Sequence, residues 1–164
     1  MKSNSKGFTL IELLAVIVIL AVIALIATPL IMGVIDDARK GSAKNGAYGY
    51  VKAFENTVAT EMIKDTKISP DATQTTVGKV VFDKRNNDGS TTEGTPANGK
   101  PINFKGTSPD RHKLKIVNGT VGDDSCIVVS GYGFKMSSGE WVEMTDTELA
   151  SSDCKVPPAE GSEE

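Results

Sequence analysis

Few residues in this 164-residue chain have the type and spacing to do chemistry. The single histidine, His112, lies in the polar run Ser108-Pro109-Asp110-Arg111-His112-Lys113 with no nucleophile beside it, so it reads as a surface side chain rather than a general base. Gly131-Tyr132-Gly133 falls between strand-like segments instead of opening a helix, which is not how a phosphate cradle is built. The stretch from Asp83 to Pro101 invites a calcium reading, yet with Gly89 at the sixth place of such a loop Lys84 and Thr95 fall at the first and twelfth, where carboxylates belong. It reads as a long surface loop. Cys126 and Cys154 without clustered histidines make a poor zinc site. No cofactor or catalytic constellation is expected, and the chain reads as structural rather than enzymatic. What remains is Glu12, a carboxylate placed at the front edge of an apolar run.

That run has no charged residue over the 23 positions from Leu13 to Ile35, which meets the length and composition of a membrane-spanning helix. A carboxylate there costs on the order of 2–4 kcal/mol unless it lies at the interface, is protonated or is paired. Glu12 therefore asks for a cationic partner. Lys2 and Lys6 precede the run and set the N-terminus on the cytoplasmic side, with the remainder crossing outward. An ordinary secretory signal begins in a similar way, but this run is too long for its core and no Ala is followed two residues later by another Ala.

Pro29 removes a backbone donor and crowds the preceding turn, so the helix is expected to bend or open near Ala24–Pro29, with Gly33 loosening the same region. Charge returns at Asp36-Asp37, but no turn cluster stops the helix before Asp65-Thr66. Ala43, Ala47, Val51, Phe54, Val58 and Met62 recur at steps of three or four, with Tyr50 alongside. One continuous helix is expected from about Phe8 to Lys64, its second half laying Phe54 and Met62 under a sheet.

The short basic leader followed by Gly7-Phe8-Thr9-Leu10-Ile11-Glu12 and the long apolar run resembles the processing site of type IV pilins and of the related pseudopilins of type II secretion. The resemblance covers about the first 35 residues. It implies that a prepilin peptidase cuts on the cytoplasmic side after Gly7, that Phe8 becomes an N-methylated first residue, and that the apolar helix is retained. It further implies that Glu12, then the fifth residue, meets the Phe8 amine of a neighbouring subunit. Pro29 falls where many such proteins carry a helix-distorting proline. Physically, a charge pair in an apolar bundle fixes register, because any other axial offset leaves two charges unpaired. The competing reading is a carboxylate tolerated by the dipole of a helix N-terminus.

After residue 65 the composition becomes polar and strand-like. A Thr-rich connection at 66–78 leads to a short strand at Lys79–Phe82, a brief one at Ile102–Phe104, and a clean alternation over Lys113–Val117. Asn118-Gly119 favours a type I′ turn into Thr120-Val121. Further strands are expected at Cys126–Ser130, Tyr132–Met136 and Glu140–Met144. The fold class is α+β: a long N-terminal helix packed against an antiparallel sheet of about three to five strands, the pilin fold in the light of the resemblance. The expected division is a leader at 1–7, a transmembrane and filament-core helix at 8–35, a head at 36–154 that includes the amphipathic half of the helix, and a disordered tail at 155–164.

Removing Lys2 and Lys6 from the 18 Lys and Arg leaves 16 against 21 Asp and Glu, a balance of −5, which argues against nucleic acid as the main partner. If the helix exports the head, Cys126 and Cys154 lie where disulfides persist, and their bond would close a loop of about 29 residues worth roughly 3–4 kcal/mol. The resemblance strengthens that pairing, since many type IV pilins pin a C-terminal loop to the sheet in this way. The implied partners are further copies of the chain in a homopolymer, the peptidase and N-methyltransferase, a pilus assembly platform, and the membrane for the precursor. The mature protein would then lie in an extracellular filament serving adhesion or twitching motility. A secretion pseudopilin and an adhesive or DNA-binding minor pilin are the alternatives.

Overall fold

In a computed structural model, residues 7–70, 72–151 and 154 are described. The leader residues 1–6 and the expected tail lie outside them. Helix α1 spans Leu10–Lys64 and runs on through Pro29. Its last regular backbone bond joins the Asp65 amide to the Glu61 carbonyl at 3.0 Å. Beside Pro29 the Thr28 hydroxyl donates to the Ala24 carbonyl at 2.7 Å, a back-bond that such hydroxyls make where a proline has removed a donor from the next position.

The chain divides into two units, Met1–Lys40 and Gly41–Glu164. In the first, the large apolar side chains from Leu10 to Ile35 are all exposed. Among the described residues the second holds eleven strands: β1 (Ile68–Pro70), β2 (Thr73–Gln74), β3 (Lys79–Val80), β4 (Phe82–Arg85), β5 (Thr91–Thr92), β6 (Lys100–Pro101), β7 (Arg111–Val117), β8 (Thr120–Val121), β9 (Cys126–Val129), β10 (Tyr132–Ser137) and β11 (Glu140–Glu143). Helix α2 follows at Asp146–Ser151. The main sheet has six strands in the order β11-β10-β9-β7-β2, with β8 paired to β7, and every pairing is antiparallel. Two small sheets, β1-β4-β5 and β3-β6, flank it in the chain. The architecture is α+β, as expected, though the main sheet exceeds three to five strands because the polar connection at 66–78 contributes β2.

The register follows from the turns. Asn118 and Gly119 both have positive φ, 54° and 83°, as a two-residue type I′ turn requires, and this locks Val117 opposite Thr120. Ser130-Gly131 and Ser138-Gly139 repeat the device before and after β10. Strand alternation then sorts the side chains. Leu114, Ile127, Val129 and Phe134 join Ala47, Tyr50, Val51, Phe54 and Val58 of α1 in one core that also takes in Trp141 and Val80. Cys126 and Val128 face the other way, into a second cluster with Met144, Cys154 and Leu149. Strand β9 is thus buried on both faces, where cover on one face alone was expected. At Gly133 a Cβ would come within 2.7 Å of Leu149 Cδ1, so the leucine packs directly over the glycine and would have to shift for a larger residue.

Four expectations need correction. Met62 is exposed: Val58 is the last buried position of the stripe, because α1 runs on past the core. The supposed surface loop at 83–101 contains β4, β5, a 3₁₀ turn at Pro96–Asn98 and β6. Ile102–Phe104 is not a strand; the Ile102 amide instead donates to the Gly78 carbonyl at 2.9 Å. His112 is buried, only 4% exposed, on the helix-facing side of β7.

Candidate assembly site

The residues singled out at the N-terminus lie just before α1 and in its first turn. Gly7 and Phe8 precede the helix and are exposed, Phe8 at 91%. Thr9 is the helix cap. Its amide and its hydroxyl both donate to Glu12 Oε2, at 2.8 Å and 2.7 Å, and the Glu12 amide lies 3.4 Å from the Thr9 hydroxyl. This reciprocal arrangement is a capping box, in which a Thr and a Glu three residues on satisfy orphan donors of the first turn. The sequence pattern Thr9-Leu10-Ile11-Glu12 carries that signal, and attention to charge alone passes over it. Glu12 therefore has a partner within its own chain. In the unprocessed chain its carboxylate is oriented by Thr9, one residue from the bond that cleavage would turn into an amine at Phe8.

Beyond the cap, α1 offers no polar side chain before Thr28. Leu13, Leu14, Val16, Ile17, Leu20 and Ile23 are each more than half exposed. Fully burying a side chain of this kind is worth about 1.5–3 kcal/mol, so such a surface is stable only in lipid or against similar helices. Among the described residues, α1 is the one helix long and apolar enough to cross a membrane.

Residues 2–28 match a family defined by the prokaryotic N-terminal methylation motif. The chain carries a prepilin-type N-terminus. The motif, the apolar helix behind it and the α+β architecture belong together in proteins of pilin or pseudopilin type, and they fit a membrane-anchored precursor. No curated protein and no solved structure matches the chain.

The second constellation lies in the Gly41–Glu164 unit. Cys126 and Cys154 are joined by a disulfide with Cα atoms 6.2 Å apart. It fastens the chain beyond α2 to the central strand β9, on the sheet face opposite α1. A second capping box starts α2: the Thr145 amide donates to Glu148 Oε2 at 2.9 Å, and Glu148 also takes the Lys135 ammonium. The Lys135 contact, then the Thr145 amide, hold the Glu148 carboxyl down to about 2. Asp88 and Asp83, two of the three acidic residues of the stretch considered for calcium, are engaged by Ser90 and by the Gly94 amide.

Proposed function

We propose that the chain is a structural subunit of a type IV pilus, cut after Gly7, methylated at Phe8 and polymerised through α1. The carrying observation is the methylation motif over residues 2–28 continuing into a helix whose apolar side chains are all exposed. The peptidase removes a leader and creates an amine at Phe8, basic with an ordinary pKa of about 8, within a turn of Glu12. In the precursor Glu12 caps its own helix. In the filament it exchanges part of that bonding for the Phe8 amine of a neighbour, and the pair selects one axial stagger. Pro29 leaves the Leu25 carbonyl without its usual donor, so the helix has a compliant section in its apolar half. The precursor lies in the cytoplasmic membrane with Lys2 and Lys6 inside, and the head is exported.

A type II secretion pseudopilin shares every N-terminal feature. The head favours the pilus reading in one respect: its disulfide and doubly covered β9 make a robust domain suited to an exposed filament. Mass spectrometry of filaments sheared from cells tests the proposal. A chain beginning with N-methylated Phe8 is expected. A chain that retains Met1, or that begins near residue 40, would overturn the cleavage and retention of α1. Filaments at the cell surface that bind an antibody to the head separate a pilus from a short periplasmic pseudopilus.

A further inference from the structure

His112 has no part in assembly, yet it occupies the seam that holds the sheet to the helix. Strand alternation puts His112, Leu114 and Ile116 on the face toward α1 and Arg111, Lys113 and Lys115 on the other. The imidazole centroid lies 5.5 Å from the Tyr50 ring and 6.3 Å from the Phe54 ring, both fully buried. Neither Nδ1 nor Nε2 has a hydrogen-bonding partner among the described residues. An imidazole has one donor and one acceptor to satisfy even when neutral, and as a cation it has two donors and a charge. A phenylalanine here would fill similar space at no polar cost, so packing alone does not account for a histidine.

We propose that His112 is a proton-operated latch: the neutral ring keeps the seam between β7 and α1 closed, and its protonation opens that seam. Among the described residues no carboxylate bonds the imidazole, and Asp110, two residues before it, accepts the Gly131 amide at 3.0 Å. From α1 the facing titratable group is Tyr50, whose hydroxyl accepts the Gly78 amide at 2.8 Å and whose pKa is itself pushed up by burial. Glu55, the nearest carboxylate along α1, takes Lys52 and the Val121 amide. Strand β9 offers Cys126, Ile127, Val128 and Val129, and its cysteine is in the disulfide. Phe104 packs edge-on to Tyr50, and its neighbour Lys105 is an exposed cation. The neighbours of His112 on its own strand, Arg111 and Lys113, are cations that face the other side of β7.

Burial accordingly pushes the imidazole down from 6.5 to about 4. The direction of the response follows. Above about pH 6.5 the ring is neutral in folded and unfolded chains alike, and its contribution is intact. As pH falls from there toward 4, only the unfolded chain binds the proton, so stability is lost progressively over that window. A separation of about 2.5 pH units corresponds to a change of order 10²-fold in the folding equilibrium.

The test uses the full chain in detergent micelles and exploits the presence of a single histidine, which gives one imidazole Cε1 proton signal. In the folded protein this signal is expected to hold its position down to about pH 5, and a midpoint near the ordinary histidine value would overturn the proposal. Hydrogen exchange corrected for intrinsic chemistry supplies the second measurement. At about pH 4.5 the amides of Leu114 and Phe54 should lose protection before those of the β4-β5 hairpin, and loss at the same rate in both places would exclude a local latch. The variant His112→Phe should show little change in unfolding midpoint between about pH 7 and 5, where the natural chain declines; equal slopes would overturn the assignment. If that variant does not fold, the signal and exchange measurements on the natural chain decide the matter.

Discussion

Glu12 has two tasks that a single substitution can separate. As the fourth member of the Thr9-x-x-Glu12 box it orders the start of α1, and as a carboxylate it can pair with the amine that cleavage creates. Glutamine keeps the first ability and loses the second. Glu12→Gln and Glu12→Ala are both expected to insert into the membrane, and both should lower filament yield, measured on sheared filaments, by about tenfold or more, since a bond to a charged partner contributes roughly 1.5–3 kcal/mol. Normal yield from Glu12→Gln alone would assign the residue to capping. Of that pairing, residue types and spacing made legible only that Glu12 asks for a cationic partner; Phe8 as that partner came from the resemblance and stays a proposal. Thr9 was legible too, through the Thr-x-x-Glu pattern, but the exposed carboxylate drew the argument toward charge. His112 was hidden for a different reason: its sequence neighbours Arg111 and Lys113 are polar, and the alternation His112-Leu114-Ile116 that buries it is evident only when the strand is extended two residues upstream of Lys113.

Among the elements, α1 was the easiest to foresee, since a 3.6-residue apolar period over five turns has few other outcomes. Its buried stripe runs from Ala43 to Val58, and the position after it, Met62, continues the period without meeting a sheet. Periodicity reports which way a side chain points, and the presence of something opposite is decided elsewhere in the chain. Phe54→Ala should therefore cost about 3–5 kcal/mol in denaturant unfolding, whereas Met62→Ala should stay within about 0.5. Equal losses would mean that Met62 is covered. The two-residue strands β2, β5 and β6 left no alternation to read, because a ladder that short is specified by its partner rather than by its own pattern. Gln74 illustrates this: its side-chain amide bonds both the carbonyl and the amide of Val81 at 2.8 Å, a buried clamp between a segment that looks like polar loop and the expected strand after it. Helix α2 is six residues long, below the span over which a period can be seen, although Thr145 and Glu148 spell its cap.

At the scale of the whole molecule the apolar residues fall into two populations, one enclosed within the Gly41–Glu164 unit and one displayed along α1 from Leu10 to Ile35. Composition made that split visible at once, because an uncharged run of this length cannot belong to a surface helix. Acid should reveal the head's electrostatics in two stages. Glu148, Glu61 and Asp88 are held below their ordinary values, Glu148 to about 2 chiefly by Lys135, Glu61 chiefly by Lys64, and Asp88 chiefly by the Ser90 hydroxyl. Their contribution is complete above the unfolded carboxylate range near 4.5 and is lost as pH falls through the folded values. Thermal unfolding followed against pH should thus decline first between about pH 6.5 and 4 through His112 and again below about 4.5 through the carboxylates. Raising salt should weaken only the second decline, through the Glu148–Lys135 and Glu61–Lys64 ion pairs, whose lysines are exposed while the imidazole is buried. A single salt-sensitive decline would contradict this division.

The bond between Cys126 and Cys154 gives the back of the sheet a property that its front lacks. The front core is closed by α1 through apolar contact and needs no chemistry to complete it. The back cover of Met144, Leu149 and Cys154 is tied down by a covalent step that a reducing cytoplasm opposes. Completion of the domain is therefore tied to a place as well as to a sequence. Under the proposed export, a chain still on the reducing side of the membrane would have its back cover untied, and the Cys126–Cys154 bond would fasten it only after delivery to an oxidising side, so the bond would serve as a record of export.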